Sequence, residues 1–321
     1  MSDRSPKDGV ANTELSQLTA KLNGIAGLLY AVVDGGLIED AATRLSQIGL
    51  FGRSLFLGAG QDIEAAGPIL VSLGSESSKI EPLLSFVNDR PAVVWWHSNV
   101  GEETIWRHLR TLNQARIPRP PPAEGTDPQS MEPASPQTET VLFRHWDPRV
   151  LGATVPLLTA SQTSRLLGPA EEVCFLDSRI AGGLGIGSIT RPHSSPDPER
   201  GMLSLTGAQM ERLDAEMLVR SRRRVAGYLR DVAPELTARL SDDGMNRRVE
   251  YAELSGQALG LVSERAQMKW AYLMLITKGE AEGDPTISAF IRGDGRHADR
   301  QVDEVMRQLI GASSQVGEMK L

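Results

Sequence analysis

The sequence predicts an α/β N-terminal lobe, with a mixed sheet flanked by helices, followed by a smaller all-α C-terminal lobe. Short apolar runs alternate with helical patterns over the first half of the chain, whereas helical periodicity dominates after Thr206. A length of 321 residues exceeds the usual size of a single core. We therefore expect an α/β lobe over 14–180, a linker over 181–203 and a helical lobe over 204–312.

Four strands are predicted in the first third of the chain. The apolar run Leu28–Val33 ends at an Asp-Gly-Gly turn signal, and Ser54–Leu57 and Pro68–Leu73 are further short apolar runs. The run Pro91–Trp96 begins with proline and is rich in β-branched and aromatic residues, which favour strands. These runs form the expected core of the sheet.

Helices are predicted between and after these strands. Apolar residues recur at helical spacing from Ala41 to Ile48 and over Ile80–Asn88. A helix over Gly101–Gln114 has acidic residues in its first turn, where the helix dipole favours them. Further along we expect a strand, two helices and a strand, over Val141–Arg144, Pro148–Leu151, Ser161–Leu167 and Val173–Leu176.

Two segments have the composition of loops. Residues 117–140 are rich in Pro, Glu, Ser, Thr and Gln, which cannot form a core, so we interpret them as a surface insertion. The stretch Gly182–Arg200 combines a glycine run with several prolines and is interpreted as the linker.

The C-terminal lobe is predicted to be helical throughout. Thr206 and Gln209 have the spacing of a capping box at the start of a helix. Apolar residues then follow helical periodicity, and further helices are expected over Glu264–Ile276 and His297–Ile310.

Composition excludes several classes of partner. A formal net charge of -7 and a pI near 5.4 disfavour nucleic acid, whose phosphates require a basic face. The single cysteine, Cys174, allows no internal disulfide and no cysteine-based zinc site. Met1–Thr13 is polar, unlike a signal peptide, and no run reaches the roughly 18 apolar residues of a membrane helix. We expect a cytoplasmic protein without nucleic-acid or membrane partners.

Two enzymatic or ligand-binding alternatives stay open. His97 and Ser98, with Asp34 as an orienting acid, are the residue types of a hydrolase, although no G-x-S-x-G motif is present. The run Gly182–Gly187 follows a strand and suggests a nucleotide-binding regulator, although its spacing differs from G-x-G-x-x-G. His145 and Asp147 are too few to predict a metal site. We predict no cofactor and no metal.

The tryptophans hold most of the large aromatic surface. Trp95 and Trp96 are neighbours on a strand and must point to opposite faces of the sheet. Burial under helices on both faces is the simpler interpretation, but tryptophan is also enriched in binding hot spots.

Five ordered blocks carry a family resemblance: Leu29–Gly35, Ser54–Gly58, Ala66–Val71, Pro91–Trp95 and Phe143–Leu151. Together they resemble the family known as domain of unknown function 4123, over roughly residues 28 to 177. The helical tail after Leu203 is similar to the second lobe that often accompanies this domain. The insertion departs from the family pattern, which has a short hairpin before the Phe-Arg-x-x-Asp-Pro-Arg block.

The resemblance implies a bacterial type VI secretion adaptor, or chaperone, which binds an effector protein encoded nearby and places it on the VgrG spike. It therefore implies that the chain is a protein-binding module and not an enzyme. Trp95, Trp96, Trp146, Asp147 and Arg149 are our candidate partner-binding residues.

Overall fold

The computed structural model describes residues 6–87, 90–119, 137–177, 185–191, 197–293 and 298–318. The chain divides into two compact units, Met1–Leu213 and Asp214–Leu321. The boundary falls within a long helix, Gly207–Val232. Among the described residues, no helix is both long and apolar enough to cross a membrane.

Unit 1 contains two sheets. Its strands are β1 Leu28–Asp34, β2 Gly52–Ser54, β3 Pro68–Gly74, β4 Val93–Ser98, β5 Gln114–Pro118, β6 Thr138–Leu142, β7 Ala170–Asp177, β8 Gly185–Thr190 and β9 Leu203–Ser204. The larger sheet has the order β2-β3-β1-β4-β7-β8, and all its neighbouring strands are antiparallel. The smaller sheet has the order β6-β5-β9, in which β5 pairs antiparallel with β6 and parallel with β9. The mixed strand orientation thus lies in the smaller sheet.

Helices cover both faces of the larger sheet. They are α1 Pro6–Asn23, α2 Ala41–Gln47, α3 Gln61–Ala66, α4 Ile80–Val87, α5 Glu102–Arg110, α6 Pro148–Thr154 and α7 Ala160–Leu167, with short 3-10 turns at Ser77–Lys79 and Val155–Leu157. Because side chains alternate along a strand, Ala31 and Trp95 pack with α1, α2 and α4. Val32 and Trp96 pack with α5, α6 and α7. Burial of both faces explains why the central strands are continuously apolar.

Unit 2 is all-helical, as predicted. Its helices are the greater part of α8 Gly207–Val232, then α9 Pro234–Thr237, α10 Asp242–Ala258, α11 Glu264–Ile276, α12 Glu280–Gly283, α13 Pro285–Arg292 and α14 Ala298–Glu318. Trp270 is fully buried in the core, and its indole Nε1 donates a hydrogen bond to Ser255 Oγ at 2.9 Å. The predicted capping box is present at the start of α8, since the Gln209 side chain accepts from Thr206 N at 2.8 Å and Gln209 N donates to Thr206 Oγ1 at 3.3 Å.

The α/β and all-α architecture is confirmed. The prediction of a linker over 181–203 is wrong at residues 185–190, which belong to the larger sheet. Gly185–Thr190 forms β8, which pairs with β7 along six residues. A Cβ atom on Gly187 would lie 2.4 Å from Cε2 of Phe175. The glycine therefore allows close packing against the Phe175 ring, a contact that composition alone does not reveal. Of the rest of the predicted linker, 181–184 and 192–196 lie outside the described residues, whereas 197–202 form no helix or strand and Leu203 begins β9.

The prediction of a surface insertion over 117–140 is also wrong at both ends, which belong to the strands β5 and β6. Pro118 closes β5 and pairs with Thr138, the first residue of β6. Proline is tolerated because this pair requires no hydrogen bond from its nitrogen. Residues 120–136 of the predicted insertion lie outside the described residues.

Two smaller boundaries differ from the prediction. The second strand ends at Ser54 and does not extend to Leu57, because the chain turns over Leu55–Gly58, where Gly58 has φ +92°. The first lobe was expected from residue 14, but α1 begins at Pro6 and buries Leu18 and Leu22 in the core.

Candidate functional site

The three tryptophans proposed as partner contacts lie in the interior of unit 1. Trp95 and Trp96 are 1% and 0% exposed, and they point to opposite faces of the sheet as predicted. Trp146 is 3% exposed and meets Phe56 edge-to-face, with ring centroids 5.4 Å apart. Their proposed role as direct partner contacts is therefore wrong for this fold, because a buried side chain offers no surface to a partner.

Asp147 is a helix cap and not a partner contact. It is buried and stands at the N-cap of α6, where its carboxylate accepts a hydrogen bond from Arg149 N at 2.9 Å. The same carboxylate accepts from Nε and Nη2 of Arg149, at 3.0 and 2.9 Å. The pKa of the Arg149 guanidinium is raised, and its side-chain hydrogen bonds to Asp147 are the largest cause. Of the five candidates only Arg149, with 48% of its side chain exposed, is accessible.

A second arginine ties this cap to the sheet. Arg144 Nη2 donates to Asp34 Oδ2 at 2.7 Å and lies 3.5 Å from Asp147 Oδ2. Asp34, at the end of β1, also accepts from Gly36 N at 3.0 Å. Two buried carboxylates are thus neutralised by two half-exposed guanidinium groups, which is what buried charge requires. Asp34, Arg144, Asp147 and Arg149 therefore connect β1 to α6.

His97, Ser98 and Asp34 do not form a hydrolytic site. Ser98 is fully buried, and its hydroxyl donates to Pro169 O at 2.7 Å and accepts from Val100 N at 3.3 Å. His97 is the adjacent residue on β4 and points to the other face. Asp34 is already bonded to Arg144. A hydrolase needs a hydrogen bond between its serine and its base, and these residues have none.

Within the described residues, neither the glycine run nor the histidines form a ligand site. Gly185–Gly187 belong to β8, and residues 182–184 lie outside the described residues. No group of His, Cys, Asp and Glu that could hold a metal occurs in the described part of the chain. His145 Nε2 lies 3.1 Å from Asn113 Oδ1, and burial lowers the pKa of His145 to about 3. This histidine is therefore neutral at pH 7.

An open groove of about 750 Å³ lies on the surface of unit 1. Its walls come from the turn after β2, the end of α5, the strands β5 and β6, and α7. Leu57 and Leu142 line it with 48% and 57% of their surface exposed. Two arginines, Arg110 and Arg165, stand at its rim, and they donate to Leu57 O at 3.2 Å and to Gly201 O at 2.6 Å. We call this feature the unit 1 groove.

Residues of the Phe143–Leu151 block contact the side chains of the groove wall from the interior of unit 1. Asn113 links the groove wall to this block, since its Nδ2 donates to Leu55 O at 3.0 Å while its Oδ1 meets His145 Nε2. Trp146 packs against Phe56, the next residue of the groove wall. The predicted residues His145 and Trp146 thus act on the groove indirectly, by fixing its wall.

The strand β6 borders the groove and has one free edge among the described strands. Hydrogen bonds from Arg119 N to Gln137 O and from Phe143 N to Asn113 O, both 2.9 Å, fix the register with β5. Hydrogen bonding alternates along an antiparallel pair, so the backbone N–H and C=O of Thr138, Thr140 and Leu142 point away from β5. Such an edge is a template for an additional strand.

Sequence reasoning missed Leu57, Leu142 and the edge of β6. Thr138, Thr140 and Leu142 are exposed and alternate with half-buried Glu139 and Val141, but the first three residues of the strand are all polar, so the sequence shows no alternation. The face that this strand presents depends on its pairing with β5, which is a tertiary contact.

The fold and the groove together define an α/β domain with an open groove on its surface. Residues 29–165 match the family model described as Domain of unknown function (DUF4123). The match lies within the α/β unit and confirms the family resemblance of that unit. No curated protein and no solved structure matches the chain.

Proposed function

We propose that this chain is a type VI secretion adaptor, which binds an effector protein encoded nearby and loads it onto the VgrG spike. It acts by binding and not by turnover, and it acts in the cytoplasm. The observation that carries this proposal is the unit 1 groove with the free edge of β6, built largely from residues 29–165 that match the family. The resemblance described above supplies the secretion role.

The chemistry of the groove favours an extended polypeptide over a small substrate. Thr138, Thr140 and Leu142 offer backbone donors and acceptors at a two-residue repeat, which matches an added strand. Leu57 and Leu142 are exposed apolar side chains of the groove that β6 borders, where they can contact apolar side chains of the added strand.

The first experiment identifies the partner. The tagged chain is co-expressed with each protein encoded beside it, and the eluates are separated by size-exclusion chromatography. We expect one effector to form a stable complex and VgrG to join that complex. Failure of every neighbouring effector and of VgrG to co-purify would contradict the proposal.

The second experiment places the effector in the groove. Leu142→Asp puts a charge at an exposed apolar position of the groove, and we expect a loss of effector affinity of at least about ten-fold, or 1.4 kcal/mol. Phe51→Asp is the matched control, because Phe51 is 76% exposed but does not line the groove. Equal effector affinities of the two variants would contradict binding of the effector in the unit 1 groove.

Thr140→Pro tests the strand edge itself. Proline removes the outward-pointing N–H of Thr140 while the neighbouring hydrogen bonds to β5 are retained. We expect an unchanged thermal unfolding midpoint and a weakened complex, measured by differential scanning calorimetry and by binding titration. A full-strength complex would show that no strand is added at this edge.

A further inference from the structure

A cavity of about 460 Å³ opens on the surface of unit 2, outside the residues that match the family. It lies between α10 and α11, and the end of α8 contributes to its floor. Leu229, Met274 and Leu275 make this floor apolar, and all three are buried. The volume falls within the range of about 300–1,000 Å³ typical of ligand pockets. It is large enough for more than one apolar side chain.

Three cationic side chains surround the opening. Arg247 and Arg248 lie on the exposed face of α10, and Lys278 follows the end of α11. None of the three side chains has a hydrogen bond or an ion pair among the residues that the structure describes. Their positive charge is therefore available to a partner.

Other arginines of unit 2 are neutralised within the unit. Arg222 is paired with Glu250 at 3.0 Å and with Glu253 at 2.6 Å, both on α10. Arg230 is paired with Asp242 at 2.6 Å. The three free cations of the cavity therefore contrast with nearby arginines that already hold carboxylates.

Lys278 occupies an unusual backbone conformation at this opening. Its φ is +55°, in the left-handed region, which is unfavourable for a residue other than glycine. Gly279 N closes the helix end by donating to Met274 O at 2.8 Å. Glycine is the usual residue at such a position. The lysine here makes the backbone less stable and places a positive charge at the cavity.

The acidic group bonded at this rim is Glu282, which accepts a hydrogen bond from the hydroxyl of Tyr251. None of the residues that line the cavity is acidic, whereas three of them are cationic, on a chain whose formal net charge is -7. A cationic rim around an apolar floor is complementary to carboxylates that flank apolar side chains.

We propose that this cavity binds an acidic polypeptide segment, which inserts apolar side chains while its carboxylates pair with Arg247, Arg248 and Lys278. The inference rests on the proposed function only in assigning this segment to the effector. The cavity is then a second contact, separate from the unit 1 groove, and two linked contacts raise affinity without any change at the first.

The experiment uses the full chain and a synthetic amphipathic peptide with leucine at positions i, i+3, i+4 and i+7 and glutamate elsewhere. Fluorescence anisotropy measures its affinity, which we expect to fall with rising salt. The triple variant Arg247→Glu, Arg248→Glu, Lys278→Glu is expected to weaken binding at least about ten-fold. Arg265→Glu is the matched control on α11, since Arg265 is exposed and does not line the cavity.

Lys278→Gly separates binding from folding. Because glycine tolerates the left-handed conformation, we expect an unchanged or raised thermal midpoint together with weaker peptide binding. A lowered midpoint with unchanged binding would show that Lys278 is purely structural and would overturn its role here.

Three results would overturn the proposal. The first is an acidic peptide that does not bind, and the second is binding that is insensitive to the triple variant. The third is stabilisation by dodecanoate but not by the peptide, which would assign the cavity to an anionic amphiphile. The two proposals fail separately. A wild-type chain that binds no effector contradicts the adaptor role, whereas an effector complex that the triple variant leaves intact contradicts only this cavity.

Discussion

The residues that look most reactive in this sequence are used for packing. His145 is fully buried, and its ring lies 5.2 Å from the ring of Trp146 and 6.0 Å from the ring of Trp96. Ser98 joins β4 to the residue before β7 through Pro169 O. Cys174 is buried, and burial raises the pKa of its thiol to about 12. Polar groups in these positions stabilise one arrangement of the core, and their side chains are not exposed to a substrate.

Burial of His145 predicts a loss of stability in acid. Its folded pKa of about 3 lies below the ordinary value of 6.5, so the unfolded chain takes up a proton first as the pH falls. The stabilising contribution is complete above pH 6.5 and is lost below it, by up to about 1.4 kcal/mol per pH unit. His108, whose pKa burial lowers to about 4, adds a similar slope.

Urea unfolding followed by tryptophan fluorescence measures this effect, because four of the five tryptophans lie in unit 1. His145→Gln should be less stable than the wild type at pH 7.5 but should lose less stability between pH 6.5 and pH 4. Parallel pH profiles for the two proteins would contradict a neutral, buried His145.

At the scale of elements, local patterns predicted what neighbouring residues determine. The apolar runs of β1, β3, β4 and β7 and the capping box of α8 depend on short stretches, and these predictions are confirmed. The strands β5 and β8 were missed because proline, glycine and polar residues hide them. Each becomes a strand only because a partner strand pairs with it, and that pairing is a tertiary contact.

Glycine substitutions test this difference. Gly187→Ala should destabilise the protein by roughly 1–3 kcal/mol, because a Cβ atom would enter the Phe175 ring. Gly227→Ala is the matched control in the last third of α8, where nothing lies within 4 Å of the added atom. It should stabilise the protein by about 0.5–1 kcal/mol, since alanine favours a helix. Thermal unfolding checks both, and equal effects would contradict β8 as a packed strand.

At the scale of the whole molecule, the family and the fold class follow from the sequence, but the binding surfaces do not. The five ordered blocks mark the residues that build the α/β core and support the groove from behind. The surface side chains that we propose as contacts, such as Leu57 and Leu142, come from separate elements. Arg248 and Lys278 likewise belong to different parts of unit 2. Their convergence depends on packing, so no single segment predicts them.

Isothermal titration of the purified chain with its neighbouring effector tests the central claim most directly. We predict a saturable complex with a negative heat-capacity change, the signature of apolar burial, that Leu142→Asp weakens and Phe51→Asp leaves unchanged. An absence of binding heat across a range of temperatures, with every effector encoded beside the gene, would contradict the claim that this molecule works by holding another polypeptide.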